Sequence, residues 1–514
     1  MKKIKEFPMR SLIFLVILTF SLAFTSPIAT DTADPQPLFT LLPADQTGIK
    51  FNNELKDQKE DNIMIYSNFY GGAGVAIGDL NNDGLPDIFF AGNQVADQLY
   101  LNEGDLKFKD VTRKAGIKDN GGWSSGVILG DVNGDGYLDI YVTRELYDDD
   151  PELRRNKLYI NQGDATFKEE AEAYGVDNDA RTRHAAFLDY DHDGDLDLFL
   201  CNQPPNPGHY SKFHNSDLSL PAYRLYLYQN QGGKFTDVTH EAGLAMTGFP
   251  NSITCSDLNG DGWTDIYVAN DFWVEDWILI NNGDGTFSNQ LYDRTNHISF
   301  SSMGVDAGDI DNDGDLDIMV VDMAAEDNYR LKANMSGMNP KAFWKVVKDG
   351  GHYQYMFNML HMNQGDGHFS DIAQMAGVAT TDWSWSPLIA DFDNNGWKDI
   401  HITNGLMRDI RNNDASKKFP KYLESKLFDY IQSHPNPPAD ISVWDVVDIK
   451  KALEIVPSQK LSNYIYANNG DLTFSKKMVE WGMDQKSFSN GSAYADLDND
   501  GDLDLVVNNI NDEA

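Results

Sequence analysis

The sequence predicts an all-β chain of repeated four-stranded sheets, and three observations carry the prediction. A nine-residue acidic loop with glycine at its sixth place recurs seven times. Each copy opens a short run of β-branched and aromatic residues. A second unit, two apolar strands joined by an Asn-x-Gly-type turn, follows most copies in the same order. Such periodic recurrence indicates one repeat architecture rather than a string of unrelated domains, even in a chain of 514 residues.

The loop is clearest in DIDNDGDLD, Asp309 to Asp317. Asp309, Asp311, Asp313 and Asp317 stand at positions 1, 3, 5 and 9, and Gly314 at position 6 permits the sharp turn that lets hard oxygen ligands converge on one cation. The other copies place Asp79, Asn81, Asp83 and Asp87; Asp131, Asn133, Asp135 and Asp139; Asp189, Asp191, Asp193 and Asp197; Asp257, Asn259, Asp261 and Asp265; Asp391, Asp393, Asn395 and Asp399; and Asp496, Asp498, Asp500 and Asp504 at the same positions. By ligand type these are Ca²⁺ sites, up to seven of them. A metal-free acidic hairpin would need only one or two Asp or Asn residues, not three or four at fixed spacing. The loops are not EF-hands, because position 12 is apolar in every copy (Phe90, Val142, Leu200, Val268, Val320, Ile402, Val507) where an EF-hand closes with Glu. The closing acid at position 9 instead begins DIFFAG, DIYVTR, DLFLCN, DIYVAN, DIMVVD, DIHITN and DLVVNN, which read as strands. GVAIG, GVILG, SITCS and GVDAG before the loops read as strands too, so each loop turns a hairpin.

From Gly126 the order is a strand (GVILG), the loop, a second strand (DIYVTR), a connection, a third strand (KLYINQG), a tight turn and a fourth strand beginning TFKEE. The third and fourth strands return as LYLNEGDLKFKDV, LYLYQNQGGKFTDV, ILINNGDGTFSNQ, HMNQGDGHFSDI and IYANNGDLTFSKK, whose turns supply positive φ between strands. Four antiparallel strands per repeat describe the blades of a β-propeller. Three repeats are lengthened by insertions, residues 202–222, 322–358 and 404–463, and the last holds a helical pattern, KKFPKYLESKLFDYIQ.

The ends and the composition bound the class. Lys2, Lys3, Lys5 and Arg10 precede an apolar run from Leu12 to Phe24, the pattern of a secretory signal over residues 1–29, with an uncleaved membrane anchor as the alternative. Either way the body, residues 30–514, is expected outside the cytoplasm, in the periplasm, at the cell surface or secreted, and touches a membrane only through such an anchor. With 80 acidic against 41 basic residues the net charge is −39, which excludes a nucleic-acid backbone as partner. Two cysteines, Cys201 and Cys255, cannot staple a chain of this size and read as buried thiols.

The unit of strand, DxDxDGxxD loop and strand resembles the FG-GAP or VCBS repeat of integrin α-chain propellers and bacterial secreted proteins. The NxGDGTFxDVTxxAGI pattern is similar to the bacterial group associated with ASPIC/UnbV-type proteins. The resemblance covers about residues 38 to 510 and implies a seven-bladed propeller with Ca²⁺ between first and second strands. Loop 6, with Asn395 at position 5, and loops 1, 2 and 4, with Asn81, Asn133 and Asn259 at position 3, depart from the all-Asp pattern and should bind more weakly. Phe39 to Ile49 is similar to the fourth-strand segment Phe108 to Ile117 and is expected to close the ring as the outermost strand of the seventh blade, which leaves that blade one strand short. The resemblance further implies a C-terminal region of ASPIC/UnbV type not contained in this sequence.

If the strand entering each loop is innermost, the face opposite the ions is built from the starts of those strands and from the insertions. The ligand candidates there are Trp123, Arg183, His184, Asn251, Trp383 and Trp385, with packing beneath the insertions as the alternative role of the aromatics. No catalytic residue is assigned, since no GxSxG, HExxH or phosphate-cradling motif accompanies Arg183 and His184. The expected function is a calcium-stabilised binding or adhesion module for a protein or glycan. The alternatives are a secreted carbohydrate-active, lyase-like enzyme at the channel mouth and a scaffold for the C-terminal region.

Overall fold

The computed structural model describes residues 37–118, 120–204, 221–334, 339–438 and 441–514. The expected signal, residues 1–29, and most of the first insertion lie outside the described residues.

Six antiparallel four-stranded sheets follow one another along the chain, each with its strands in sequence order. Sheet 1 comprises Val75–Gly78, Asp87–Phe90, Gln98–Asn102 and Phe108–Asp110. Sheet 2 comprises Trp123–Gly130, Asp139–Glu145, Lys157–Asn161 and Phe167–Glu169. Sheets 3 to 6 begin with Thr182–Leu188, Pro250–Ser256, Gly304–Gly308 and Ser384–Ala390. Their second strands are Asp197–Asn202, Asp265–Asn270, Asp317–Val321 and Asp399–Asn404, and their third are Tyr226–Asn230, Trp277–Asn281, Met359–Asn363 and Tyr464–Asn468. Sheet 7 holds two strands, Ser489–Ala495 and Asp504–Asn509. This all-β succession of repeated sheets fits a propeller.

The hairpin register follows from the loop. Position 9 always pairs with the residue just before position 1, as in Gly78 with Asp87 and Gly308 with Asp317. The second strands of sheets 1 to 6 are buried along their whole length. This is why they read as continuous apolar runs rather than alternating ones. First strands of successive sheets lie against one another in chain order, and that of sheet 7 lies against that of sheet 1.

Each third strand ends in an asparagine that ties sheets together. Its Nδ2 donates to the position-2 carbonyl of the preceding sheet's loop at 2.7–3.0 Å: Asn161 to Leu80, Asn230 to Val132, Asn281 to Tyr190, Asn363 to Leu258, Asn468 to Ile310, and Asn102 to Leu497 of sheet 7. One buried amide per repeat thus couples neighbours, and leaving its polar atoms unpaired would cost about 1–3 kcal/mol.

The second and third insertions carry helices. Residues 322–358 carry Asn328–Asn334 and Pro340–Lys348, the latter capped by Asn339 Oδ1, which accepts from the amides of Lys341 and Ala342. Residues 404–463 carry Ala415–Ser433, Val443–Val446 and Ile449–Leu453, so the predicted helix is present and tolerates Pro420 in its second turn. Phe419, Ala452 and Leu453 join one apolar cluster with Met319 and Ile400 of the sheets.

The stretch Phe39 to Ile49 takes the place of the seventh fourth strand without becoming a strand. Phe39 N donates to Trp481 O at 2.8 Å, as Phe167 N does to Ala115 O and Phe287 N to Ala242 O. A Cβ at Gly48 would meet the carbonyl of Phe108, just as one at Gly116 would meet that of Phe167. The expectation of an outermost strand is corrected to an irregular segment with one helical turn, Ala44–Thr47, because among the described residues no third strand stands beside it to pair with. Cys201 and Cys255 are free thiols, and burial pushes both up, Cys255 to about 12.

Candidate metal centres and the channel mouth

All seven loops share one hydrogen-bond scheme. The amide of the position-6 glycine donates to the position-1 carboxylate Oδ2 at 2.8–3.2 Å. The glycine needs φ near +90°, as in Gly84 (90°) and Gly314 (96°), which L side chains avoid. Position 4 is also left-handed, which explains Asn82, Asn312, Asn394 and Asn499 there. The position-9 carboxylate is anchored twice. Its Oδ2 accepts from the position-2 amide at 2.9–3.1 Å in every loop. Its Oδ1 accepts from the third-strand asparagine amide at 2.8–2.9 Å in sheets 1 to 6.

In four loops three carboxylates bring oxygens within 4.8 Å of one another: Asp189, Asp191 and Asp197; Asp309, Asp311 and Asp317; Asp391, Asp393 and Asp399; Asp496, Asp498 and Asp500. Asp189 Oδ1, Asp191 Oδ1 and Asp311 Oδ1 are buried without a hydrogen-bond partner. Orphaned carboxylate oxygens in an all-oxygen cluster fit a hard divalent cation, which would neutralise them. Where position 3 is Asn81, Asn133 or Asn259, its Oδ1 accepts from the position-5 amide at 2.9–3.0 Å. Those loops bring one charged ligand fewer to the same place.

Burial pushes the position-9 acids up: Asp87, Asp197, Asp265, Asp317 and Asp399 to about 7 and Asp139 to about 6, with the neighbouring loop acids adding to it against the amide bonds. In the metal-free fold these groups hold protons that the unfolded chain, with Asp near 3.9, has already released. Their contribution to stability is therefore full below about pH 4 and is lost as pH rises to about 7. The metal-free protein is expected to melt higher at pH 5.5 than at pH 8, and the calcium-saturated protein the other way round, since the ion requires ionised carboxylates. Scanning calorimetry of both forms at the two pH values checks this, and the same order in both forms would contradict it.

On the opposite face the structure separates the predicted residues. Trp123 is wholly buried, with Phe69 at 5.1 Å and Tyr66 at 6.4 Å between ring centroids. Trp383 is 9% exposed and packs in the same apolar cluster as the insertion helices. Arg183, His184, Asn251 and Trp385 come together around a cavity of about 310 Å³, to which Asp306 and Asn490 also contribute. Arg183 Nη1 donates to Glu145 Oε1 and Nη2 to Gly71 O, both at 2.9 Å, and the guanidinium lies 5.9 Å from the Trp385 ring centroid. His184 Nδ1 accepts from Ile253 N at 3.2 Å, and burial lowers the ring to about 4, so it is neutral. Asn251 Nδ2 donates to Ser302 O, and its Oδ1 accepts from Gln203 Nε2. Sequence reasoning missed Asp306, half-buried at the cavity and pushed up to about 6, although an acid in GVDAG where other repeats carry Ala76 or Ile128 was a visible signal.

Repeated four-stranded sheets with acidic hairpins at matching places define the class of repeat protein. The model of the FG-GAP-like repeat matches residues 59–142, 148–200, 218–268, 257–320, 348–402 and 453–507, and the chain belongs to this family. Among curated proteins it is similar to cartilage acidic protein 1 of Xenopus tropicalis, 32% identical over 136 residues, which is 26% of this chain and 20% of that protein. It is also similar to the Homo sapiens protein of that name, 24% identical over 227 residues, 43% of this chain and 32% of the relative. The matches thus span less than a third of those relatives' length. Among solved structures, the V. cholerae biofilm matrix protein Bap1 aligns with TM-score 0.27 and 16% identity over 54% of this chain and 38% of that one. BBS1N in complex with ARL6DN aligns with TM-score 0.33 and 6% identity over 69% and 92%. No helix among the described residues is long and apolar enough to cross a membrane.

Proposed function

We propose that this chain is a calcium-stabilised, seven-bladed β-propeller that works outside the cytoplasm as a binding or adhesion module, taking a protein or glycan at its channel mouth. The observation that carries this reading is the 310 Å³ cavity, whose lining includes residues of the first strands of all seven sheets, from Val75 and Val127 round to Trp385 and Ser492. A cavity shared by seven successive first strands is what a ring around a central channel produces. Ions at the seven loops would hold the hairpins of one face, leaving the other end of the channel for a ligand. The cartilage acidic protein 1 relatives carry a name that fits such a setting. The first 29 residues serve as an export signal in this reading, and an ASPIC/UnbV-type region belongs to the group the chain resembles.

Binding is favoured over lyase chemistry because Arg183 commits its guanidinium to Glu145 and Gly71, while His184 sits neutral and half-buried with Nδ1 on a backbone amide. A residue so engaged positions structure rather than transferring protons. Trp123 and Trp383 pack the core in this reading, and the ligand meets Arg183, His184, Asn251 and Trp385.

The test is a glycan array and a pull-down with the calcium-loaded protein and its Ser492→Tyr variant. Ser492 is half-buried at the cavity and its hydroxyl donates to that of Ser386 at 3.1 Å, so a tyrosine fills the channel with little else disturbed. The variant is expected to lose at least about tenfold in affinity, about 1.4 kcal/mol, while its calcium-dependent melt stays within a few degrees of the parent. Unchanged binding would place the ligand elsewhere.

A further inference from the structure

The connection that follows the second strand of sheet 4 carries a strained aromatic pair. Phe272 sits at φ +63°, where bulky side chains are rarely found, and backbone held in such conformations clusters at ligand clamps and other functional places. Its ring and that of Trp383 flank the guanidinium of Arg411, whose Cζ lies 5.9 and 5.8 Å from the two ring centroids. Arg411 is half-buried, and among the described residues no acid or carbonyl takes a hydrogen bond from it. Buried Asp271 feels its charge but forms no ion pair with it. Five planar N–H donors held between aromatic rings make a receptor for a carboxylate or another oxyanion. Trp273, the next residue after Phe272, is 51% exposed and stands edge-on to Phe300 at 4.8 Å between centroids.

A basic surface adjoins this pair. Gln354 Nε2 donates to Val274 O at 3.3 Å and Phe300 N to Tyr355 O at 3.0 Å, which fixes the second insertion beside the loop. The ring of Tyr355 lies 5.5 Å from that of Phe343 on the insertion helix Pro340–Lys348. Phe343, Val346 and Val347 are half-buried on one side of that helix. Lys341, Trp344, Lys345 and Lys348, spaced i, i+3, i+4 and i+7, form the other side and are all exposed, Trp344 by 51%. They line a shallow depression of about 520 Å³ together with Pro340 and Asp349, which pairs with Lys345 at 2.5 Å. On a chain of net charge −39 this is a local reversal of sign, and screening beyond about 8 Å lets the local cations decide what approaches.

We propose that this surface, from Arg411 and Trp273 to the lysines of the helix Pro340–Lys348, binds an acidic polysaccharide bearing carboxylate or sulfate groups. The lysines and the guanidinium neutralise its anions, and the exposed indoles of Trp273 and Trp344 stack on the C–H faces of its sugar rings. An acidic peptide offers the charge without the rings, and a neutral glycan the rings without the charge. The apolar side of the helix packs against Tyr353 and Tyr355, which leaves no apolar stripe to lay into a lipid surface. Among the described residues that line the channel cavity none belongs to this surface, and the inference does not rest on what the channel takes.

The test is binding of a fluorescent heparin hexasaccharide to the full calcium-loaded chain in about 0.15 M salt, with chitohexaose, hexaglutamate and hexathymidylate as controls. The heparin probe is expected to bind saturably and at least about tenfold more tightly than any control. Trp273→Ala and the triple variant Lys341→Ala, Lys345→Ala, Lys348→Ala change only exposed side chains. Each should lose at least about tenfold in affinity with an unchanged melt, while Ser492→Tyr should bind as the parent does. Arg411→Lys, which keeps the charge and loses the planar fork, should lose about threefold or more. No binding, a control that binds as well, or full affinity in any of these three surface variants would overturn the proposal. Loss of binding in Ser492→Tyr would also overturn it, because the polysaccharide would then occupy the channel.

Discussion

Removal of calcium is expected to lower the melting temperature by about 10 °C or more. An ion that binds only the folded state stabilises it by about 2.7 kcal/mol at a hundredfold excess over its dissociation constant. The four three-carboxylate clusters would then contribute about 11 kcal/mol together. Unfolding entropy near 2.1 cal/mol/K per residue converts this, for the unit Leu38–Ala514, to about 1 °C per kcal/mol. The effect is large only because sites add, and a single loop would move the melt by about 3 °C. A thermal melt by circular dichroism with and without EGTA at pH 7.5 decides it, and coincident curves would show that the loops hold their shape by hydrogen bonds alone.

Arg330→Ala is expected to cost about 3–5 kcal/mol. Arg330 is 9% exposed on the insertion helix Asn328–Asn334. Its Nη2 donates to Asp382 Oδ1 at 2.8 Å and to Asp409 Oδ1 at 3.1 Å, while Nη1 reaches Asp409 Oδ2 at 3.2 Å and Gln459 Oε1 at 3.1 Å. One guanidinium therefore ties the second insertion to the entry of sheet 6 and to the third insertion. Truncation leaves two buried carboxylates facing each other without a cation, and burial already pushes Asp409 upward. Lys345→Ala, which removes an exposed pair with Asp349, should cost no more than about 0.5 kcal/mol. Urea unfolding with limited proteolysis compares them. Cutting within residues 404–463 should appear only for Arg330→Ala, and equal stabilities would mean that the junction contributes nothing net.

The repeat was legible in the sequence because its chemistry is local. Asp309 through Asp317, the glycine at position 6 and the Asn-x-Gly turns each act within a few residues, so strands and hairpins follow from spacing. What spacing does not carry is which side chain meets which across the molecule. Arg183 reads in the sequence as an unengaged cation, yet Glu145 and Gly71, 38 and 112 residues away in the chain, hold its guanidinium in place at the cavity wall. Trp123 looked like part of an open face until Tyr66 and Phe69 closed over it. Phe39 matched a fourth strand by its residues, but a strand needs a neighbour, and among the described residues sheet 7 has none to offer between Asp504–Asn509 and Phe39. The ligand face was therefore readable only as a list of candidates, which the structure divides into a cavity and a core.

If the loops are calcium sites, the folded chain holds a countable number of ions. Equilibrium dialysis in about 10 mM calcium, above the range typical of extracellular modules, followed by metal analysis, is predicted to give at least four ions per chain from the carboxylate clusters, rising toward seven if the loops with Asn81, Asn133 and Asn259 at position 3 also fill. A folded protein that retains fewer than four would contradict it.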